Sequence, residues 1–155
     1  MKKILAVFTM LMFCLSCSSS SYKYINDEQV YNNIITKTKA GIVVYGTTWC
    51  PNCKQYIEQL KEIKDDLRGE VDIYLIEFPY APSDGEFLDY EKETYEFLKK
   101  SNYPFEIYID KDGIVFNKFK IKSVPSIGYI KDSKLINNIE PRKFDKEELL
   151  KLFGK

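Results

Sequence analysis

Apolar positions along this chain recur with two periods, and the switches between them mark its elements. From Asn26 to Lys39, Val30, Tyr31, Ile34 and Ile35 fall at helical spacing, with Asn26 as the expected cap and Gly41 as the stop. Ile42 to Tyr45 is a short β-branched run, the pattern of a strand covered on both faces. A second helix is predicted from Pro51, with Ile57, Leu60, Ile63 and Leu67 on one stripe and Gly69 as its end. Val71 to Phe78 is apolar almost throughout and predicts another central strand, closed by Pro79 and Pro82.

Ser83-Asp84-Gly85-Glu86 has the form of a capping box, so a helix is expected from Phe87 to about Lys100, burying Phe87, Tyr90, Thr94, Phe97 and Leu98. Phe105 to Ile109 predicts a third strand. The turn Asp110-Lys111-Asp112-Gly113 follows, then a short helical stretch carrying Val115, Phe116 and Phe119. Ser126 to Ile130 and Lys134 to Ile139 predict an antiparallel hairpin around Lys131-Asp132-Ser133. A last helix begins at Asp145, buries Leu149, Leu152 and Phe153, and stops at Gly154. The order αβαβαβ followed by ββα is that of an α/β fold, a mixed sheet with helices on both faces.

The N-terminus follows another logic. Lys2 and Lys3 precede an uncharged apolar run from Ile4 to Leu15, which has the length of a signal-peptide core and is too short to span a bilayer. Residues 1–16 are therefore expected to direct export. Leu15-Ser16-Cys17 resembles a bacterial lipoprotein processing site, which implies a lipid on Cys17. Ordinary secretion with cleavage nearby is the alternative. Residues 17–24, with Ser18 to Ser21, are expected to form a flexible tether, leaving 25–155 as the domain.

Length and composition narrow the function. A chain of 155 residues, 45% apolar and 30% charged, has room for one packed domain. Basic and acidic residues number 23 each, and removing residues 1–16 takes away two lysines for a net charge of −2. That balance removes the usual drive for nucleic-acid binding and gives no electrostatic pull to a membrane, so attachment would rest on the lipid. The absence of histidine excludes imidazole triads and imidazole-ligated metal sites.

Cysteine chemistry remains. In Cys50-Pro51-Asn52-Cys53 the sulfurs lie across one helical turn, within reach of a reversible disulfide. Pro51 suits the first helical position, which places Cys50 at the helix N-terminus, where unpaired amides and the helix dipole favour a thiolate. Cys50 is thus the expected nucleophile, exposed at the helix start, and Cys53 the buried resolving thiol. An inert brace would close too small a loop to stabilise much, and a metal site would need more ligands than two thiols. No cofactor or metal is expected.

Trp49-Cys50-Pro51-Asn52-Cys53-Lys54 after a strand, with Ser123-Val124-Pro125-Ser126 before another, resembles the thioredoxin superfamily over about residues 25–154. The resemblance implies a thioredoxin-like fold, a cis Pro125 against the dithiol, and binding of a partner peptide by Trp49, Pro51, Val124 and Pro125. A helix inserted before the third strand is similar to the extracytoplasmic TlpA and ResA-like members, which implies a membrane-anchored thiol-disulfide oxidoreductase of the cell envelope. Its partners would be exported protein thiols or disulfides and a membrane redox protein, with the domain itself a monomer. Val43 and Val44 stand where thioredoxins usually carry an acid, and Tyr56 where ResA-like proteins often have Glu, so proton transfer at Cys53 falls to Lys54, Glu77 or solvent. Reduction of partner disulfides is favoured over oxidation, because the Pro-Asn dipeptide adds no positive charge to stabilise a thiolate. A peptide-binding module without turnover is the reading from another class.

Overall fold

The computed structural model describes residues 22–67, 69–83 and 86–154. The expected export segment, Cys17 and the serines lie outside the described residues. Seven strands form one mixed sheet: β1 (Tyr22–Tyr24), β2 (Ala40–Gly46), β3 (Asp72–Glu77), β6 (Glu106–Ile109), β7 (Ser126–Lys131), β8 (Lys134–Leu135) and β9 (Glu140–Pro141). Their order is β1-β6-β3-β2-β7-β8, with β9 also paired to β7. The first four of these run parallel, and β7 returns antiparallel to β2. The remaining strands, β4 (Tyr80–Ser83) and β5 (Glu86–Asp89), make a separate hairpin.

Alternate residues of the central strands build the two halves of the core, which is why their sequences read as unbroken apolar runs. Ile42 and Val44 of β2, Leu75 of β3 and Ile107 of β6 face one way. They meet Ile57, Leu60 and Ile63 of α2 (Pro51–Ile63), Leu98 of α3 (Glu91–Ser101) and Leu149 of α5 (Lys146–Leu152). Val43, Tyr45, Tyr74, Ile76 and Tyr108 face the other way, onto Tyr31 and Ile34 of α1 (Glu28–Lys37) and Val115 of α4 (Ile114–Lys118). Full burial of each large aliphatic side chain contributes roughly 1.5–3 kcal/mol. Among the described residues no helix is long and apolar enough to cross a membrane.

Four expectations are corrected. The cap of α1 is Asp27, whose Oδ1 accepts the amides of Gln29 and Val30 at 2.8 and 3.0 Å, one residue later than Asn26. Gly41 lies inside β2, where a Cβ would come 2.7 Å from Thr38 Cγ2 and 3.2 Å from Asp72 O, so it serves a close approach within the fold and not a helix stop. The inserted helix exists but starts at Glu91, because residues 80–83 and 86–89 pair as β4 and β5, closed at the base by the Tyr90 amide on Pro79 O. Asp89, not Ser83, offers the carboxylate to that helix, at 2.8 Å from the Glu91 amide. Residues 22–24, expected as the end of the tether, pair with β6.

The C-terminal hairpin is shorter than its apolar run. Asp132 and Ser133, at φ 51° and 59°, turn the chain between Lys131 and Lys134. Beyond Leu135 the Asn137 side chain replaces the ladder, its Oδ1 accepting from Tyr129 N at 2.7 Å and its Nδ2 donating to Ile127 O at 3.2 Å.

Candidate functional site

The C-terminal end of β2 delivers the chain to the cysteines through Thr47, Thr48 and Trp49. This loop is held from three sides. The Cys50 amide donates to Thr47 O at 3.3 Å, Thr48 Oγ1 shares a hydrogen bond with Thr94 Oγ1 of α3 at 3.1 Å, and Trp49 Nε1 donates to Tyr80 O of the hairpin at 2.9 Å. Cys50 then occupies the cap of α2 and Pro51 its first position, as the spacing predicted.

Both cysteines carry free thiols. Cys50 Sγ accepts the Cys53 amide at 3.2 Å and faces Val124 O at 3.7 Å. The expectation of an exposed nucleophile is corrected: Cys50 is only 5% exposed, because the Val124 segment lies against it, while Cys53 has no exposure at all. Burial, followed by the hydrogen bond with Cys50, pushes the Cys53 thiol far above its usual range, against the opposing influence of the Thr47 backbone. The Val124–Pro125 peptide bond is cis, and Ser126 Oγ donates to Ser123 O at 2.7 Å across that turn.

Behind the dithiol lies Glu77, the last residue of β3, in register with Gly46. A Cβ on Gly46 would sit 3.5 Å from Cys53 Sγ and 3.9 Å from Glu77 Oε1, so the missing side chain leaves the thiol and the carboxyl facing one small space. Glu77 is 1% exposed, and its Oε2 has no hydrogen-bond partner among the described residues. Burial raises its carboxyl to about 8, with the Lys54 charge pulling the other way. Lys54 itself is exposed, its Nζ 4.9 Å from the centre of the Phe97 ring.

Two cavities flank the dithiol, and their linings differ in kind. On one side Trp49 and Val124 join Phe78, Tyr80 and Phe116 around an apolar space of about 170 Å³. On the other, Pro125 and Asn52 join Tyr56, Arg142 and Lys143 around a polar one of about 290 Å³. Trp49, Cys50, Pro51, Cys53, Val124 and Pro125 are therefore brought together, with Glu77 beneath. Cys17 lies outside the described residues. Sequence reasoning missed Gly46, Tyr80, Arg142 and Lys143 as contributors. Gly46, just ahead of the cysteine turn, was the one with a local signal, since glycine there marks a close approach. Among the described residues no cluster of Asp, Glu, Cys or His could hold a metal.

Comparison with known proteins places this geometry. The exposed lipoprotein thioredoxin Etrx1 from Streptococcus pneumoniae superposes with a TM-score of 0.61 and 20% identity, covering 77% of this chain and 86% of that one. StoA from Bacillus subtilis gives 0.56 and 20%, covering 76% and 84%. These likenesses establish the fold. A curated relative, Peroxiredoxin-like 2C of Takifugu rubripes, is 31% identical over 94 residues, 59% of this chain and 38% of that protein's length. Residues 27–155, which hold both cysteines and Pro125, match the family model described as a thioredoxin-like domain, and the chain belongs to that family.

Proposed function

We propose that this protein reduces disulfides of exported partner proteins, with Cys50 as nucleophile and Cys53 as resolving thiol. The observation that carries the reading is the pairing of a cap thiol, which accepts a helix amide, with a fully buried thiol one turn later beside an unpartnered carboxyl. The Cys50 thiolate attacks one sulfur of a partner disulfide, breaking that bond, forming a mixed disulfide and releasing one partner thiolate, which takes a proton from solvent. Ionised Glu77 accepts the Cys53 proton. The Cys53 thiolate then attacks Cys50 Sγ, closing the internal disulfide and releasing the second partner thiolate. The dithiol loses two electrons and the partner gains them.

The surroundings of Cys50 support this direction. A strong oxidant stabilises its reduced thiolate, whereas here one amide, that of Cys53, donates to Cys50 Sγ and the intervening dipeptide is uncharged. A membrane redox protein would restore the dithiol. Export with a lipid on Cys17 accords with the sequence and with the lipoprotein thioredoxin among the similar structures.

Cysteine variants test the assignment. Cys53→Ser should accumulate covalent complexes with partners on nonreducing gels, and Cys50→Ser almost none; the inverse pattern would reassign the nucleophile. A reduction potential in the range of a strong disulfide oxidant, about −120 mV, would reverse the direction.

A further inference from the structure

The polar cavity beside Pro125 has features that exchange chemistry alone does not use. Its lining holds two cations, Arg142 and Lys143, the amides of Asn52, Gln55 and Gln59, and no carboxylate. Tyr56, 3% exposed, also lines it, its hydroxyl turned toward that of Tyr129. The Nε of Arg142 is buried and has no hydrogen-bond partner among the described residues. One end of that guanidinium is already engaged, Nη2 donating to Glu140 Oε1 at 2.7 Å, and its carbon lies 5.7 Å from the centre of the Tyr129 ring. The Glu140 contact neutralises one charge. Lys143 is exposed and makes no ion pair among the described residues, which leaves its ammonium group available to a ligand, with Glu148 the acid that acts on Tyr56 from nearby.

A buried donor without an acceptor costs free energy, and a ligand that supplies the acceptor recovers it. A cation with no ion-pair partner adds a preference for negative charge. We propose that this cavity receives an aspartate or glutamate side chain of the partner protein, close in sequence to the disulfide being reduced. The proposal rests on the reading of the chain as a reductant of protein disulfides, and it names which of those disulfides are preferred.

The position fits such a role. Pro125 and Asn52 line this cavity, whereas Val124 and Trp49 line the apolar one, so an extended segment passing Cys50 meets a polar pocket on one flank and an apolar pocket on the other. Side chains of an extended segment alternate in direction. The favoured partner sequence thus pairs an acidic residue with a large apolar one around its cysteine.

Short disulfide-containing peptides, identical except for Glu, Gln or Lys at the positions flanking the attacked cysteine, test this with the intact domain. The kcat/KM for reduction should be about tenfold higher for a Glu peptide than for its Gln counterpart at low salt, with the Lys peptide lowest, and added salt should narrow the spread. Lys143→Glu, on an exposed side chain, should erase or invert that order. Equal rates for the three peptides in the wild-type protein, or an order that survives Lys143→Glu, would overturn the proposal. Absence of dithiol-dependent turnover on every peptide would instead count against the reductant reading itself.

Discussion

Glu77 has almost no contact with water and one oxygen without a partner, and the cost of ionising it there is written in its carboxyl value of about 8, against 4.5 in an open chain. Between those values the folded protein binds more protons at this site than the unfolded chain does. Stability from this group therefore falls as pH rises from about 4.5 to about 8 and levels off above. Urea unfolding at about pH 5 and about pH 8.5 should differ by roughly 3–5 kcal/mol through Glu77, and Glu77→Gln should remove most of that difference. The other groups close enough to sense it are Lys54, Cys53, Tyr45 and Tyr103. The same residue predicts a kinetic limb. As the base for Cys53 it must be ionised, so release of the mixed disulfide should quicken as pH passes through about 8, and Glu77→Gln should slow release at least tenfold and lose the limb. Stopped-flow measurement of partner release settles it; an unchanged pH profile in the variant would remove Glu77 from the mechanism.

At the scale of elements, the β4–β5 hairpin stands where a helical turn was expected, and it holds the cysteine loop through the bond from Trp49 Nε1 to Tyr80 O. Trp49→Phe should cost about 1 kcal/mol in stability and raise amide exchange within residues 80–89, measured by mass spectrometry. Exchange confined elsewhere would mean that the hairpin stands without the tryptophan. The central strands, α2 and the dithiol were legible in the sequence because their signals are local: continuous apolar runs, a proline at the first helical position and a two-residue spacer between cysteines. The hairpin was not, because Ser83-Asp84-Gly85-Glu86 satisfies both a capping box and a two-residue turn, and the choice rests on pairing across the strands. Glu77 was named only beside Lys54 and solvent, since burial of a strand end is decided by elements distant in sequence. Arg142 and Lys143 carried no signal at all, and Tyr56 was read only as standing where a Glu is often found; their meeting depends on β9 pairing with the start of β7, which brings the chain ahead of α5 beside Pro125.

For the whole molecule, the mature N-terminus decides the proposal of an exported, lipid-carrying protein. Mass spectrometry of the protein purified from its own cells should find a chain beginning at Cys17 with a mass increment equal to its acyl groups. An unmodified chain starting beyond Cys17 would retain export and discard the anchor. Should Cys17 be the attachment point, the direction of β1 acquires a meaning. Tyr22 to Tyr24 run parallel to β6, β3 and β2, and β2 ends at the loop that carries the cysteines. The described chain thus enters the sheet heading toward the dithiol end, with Tyr22 level with Val44 at the middle of β2. A lipid held ahead of β1 would favour an orientation with the reactive sulfurs facing away from the bilayer, toward proteins arriving from the open compartment, and a membrane-embedded electron donor would have to reach around the fold.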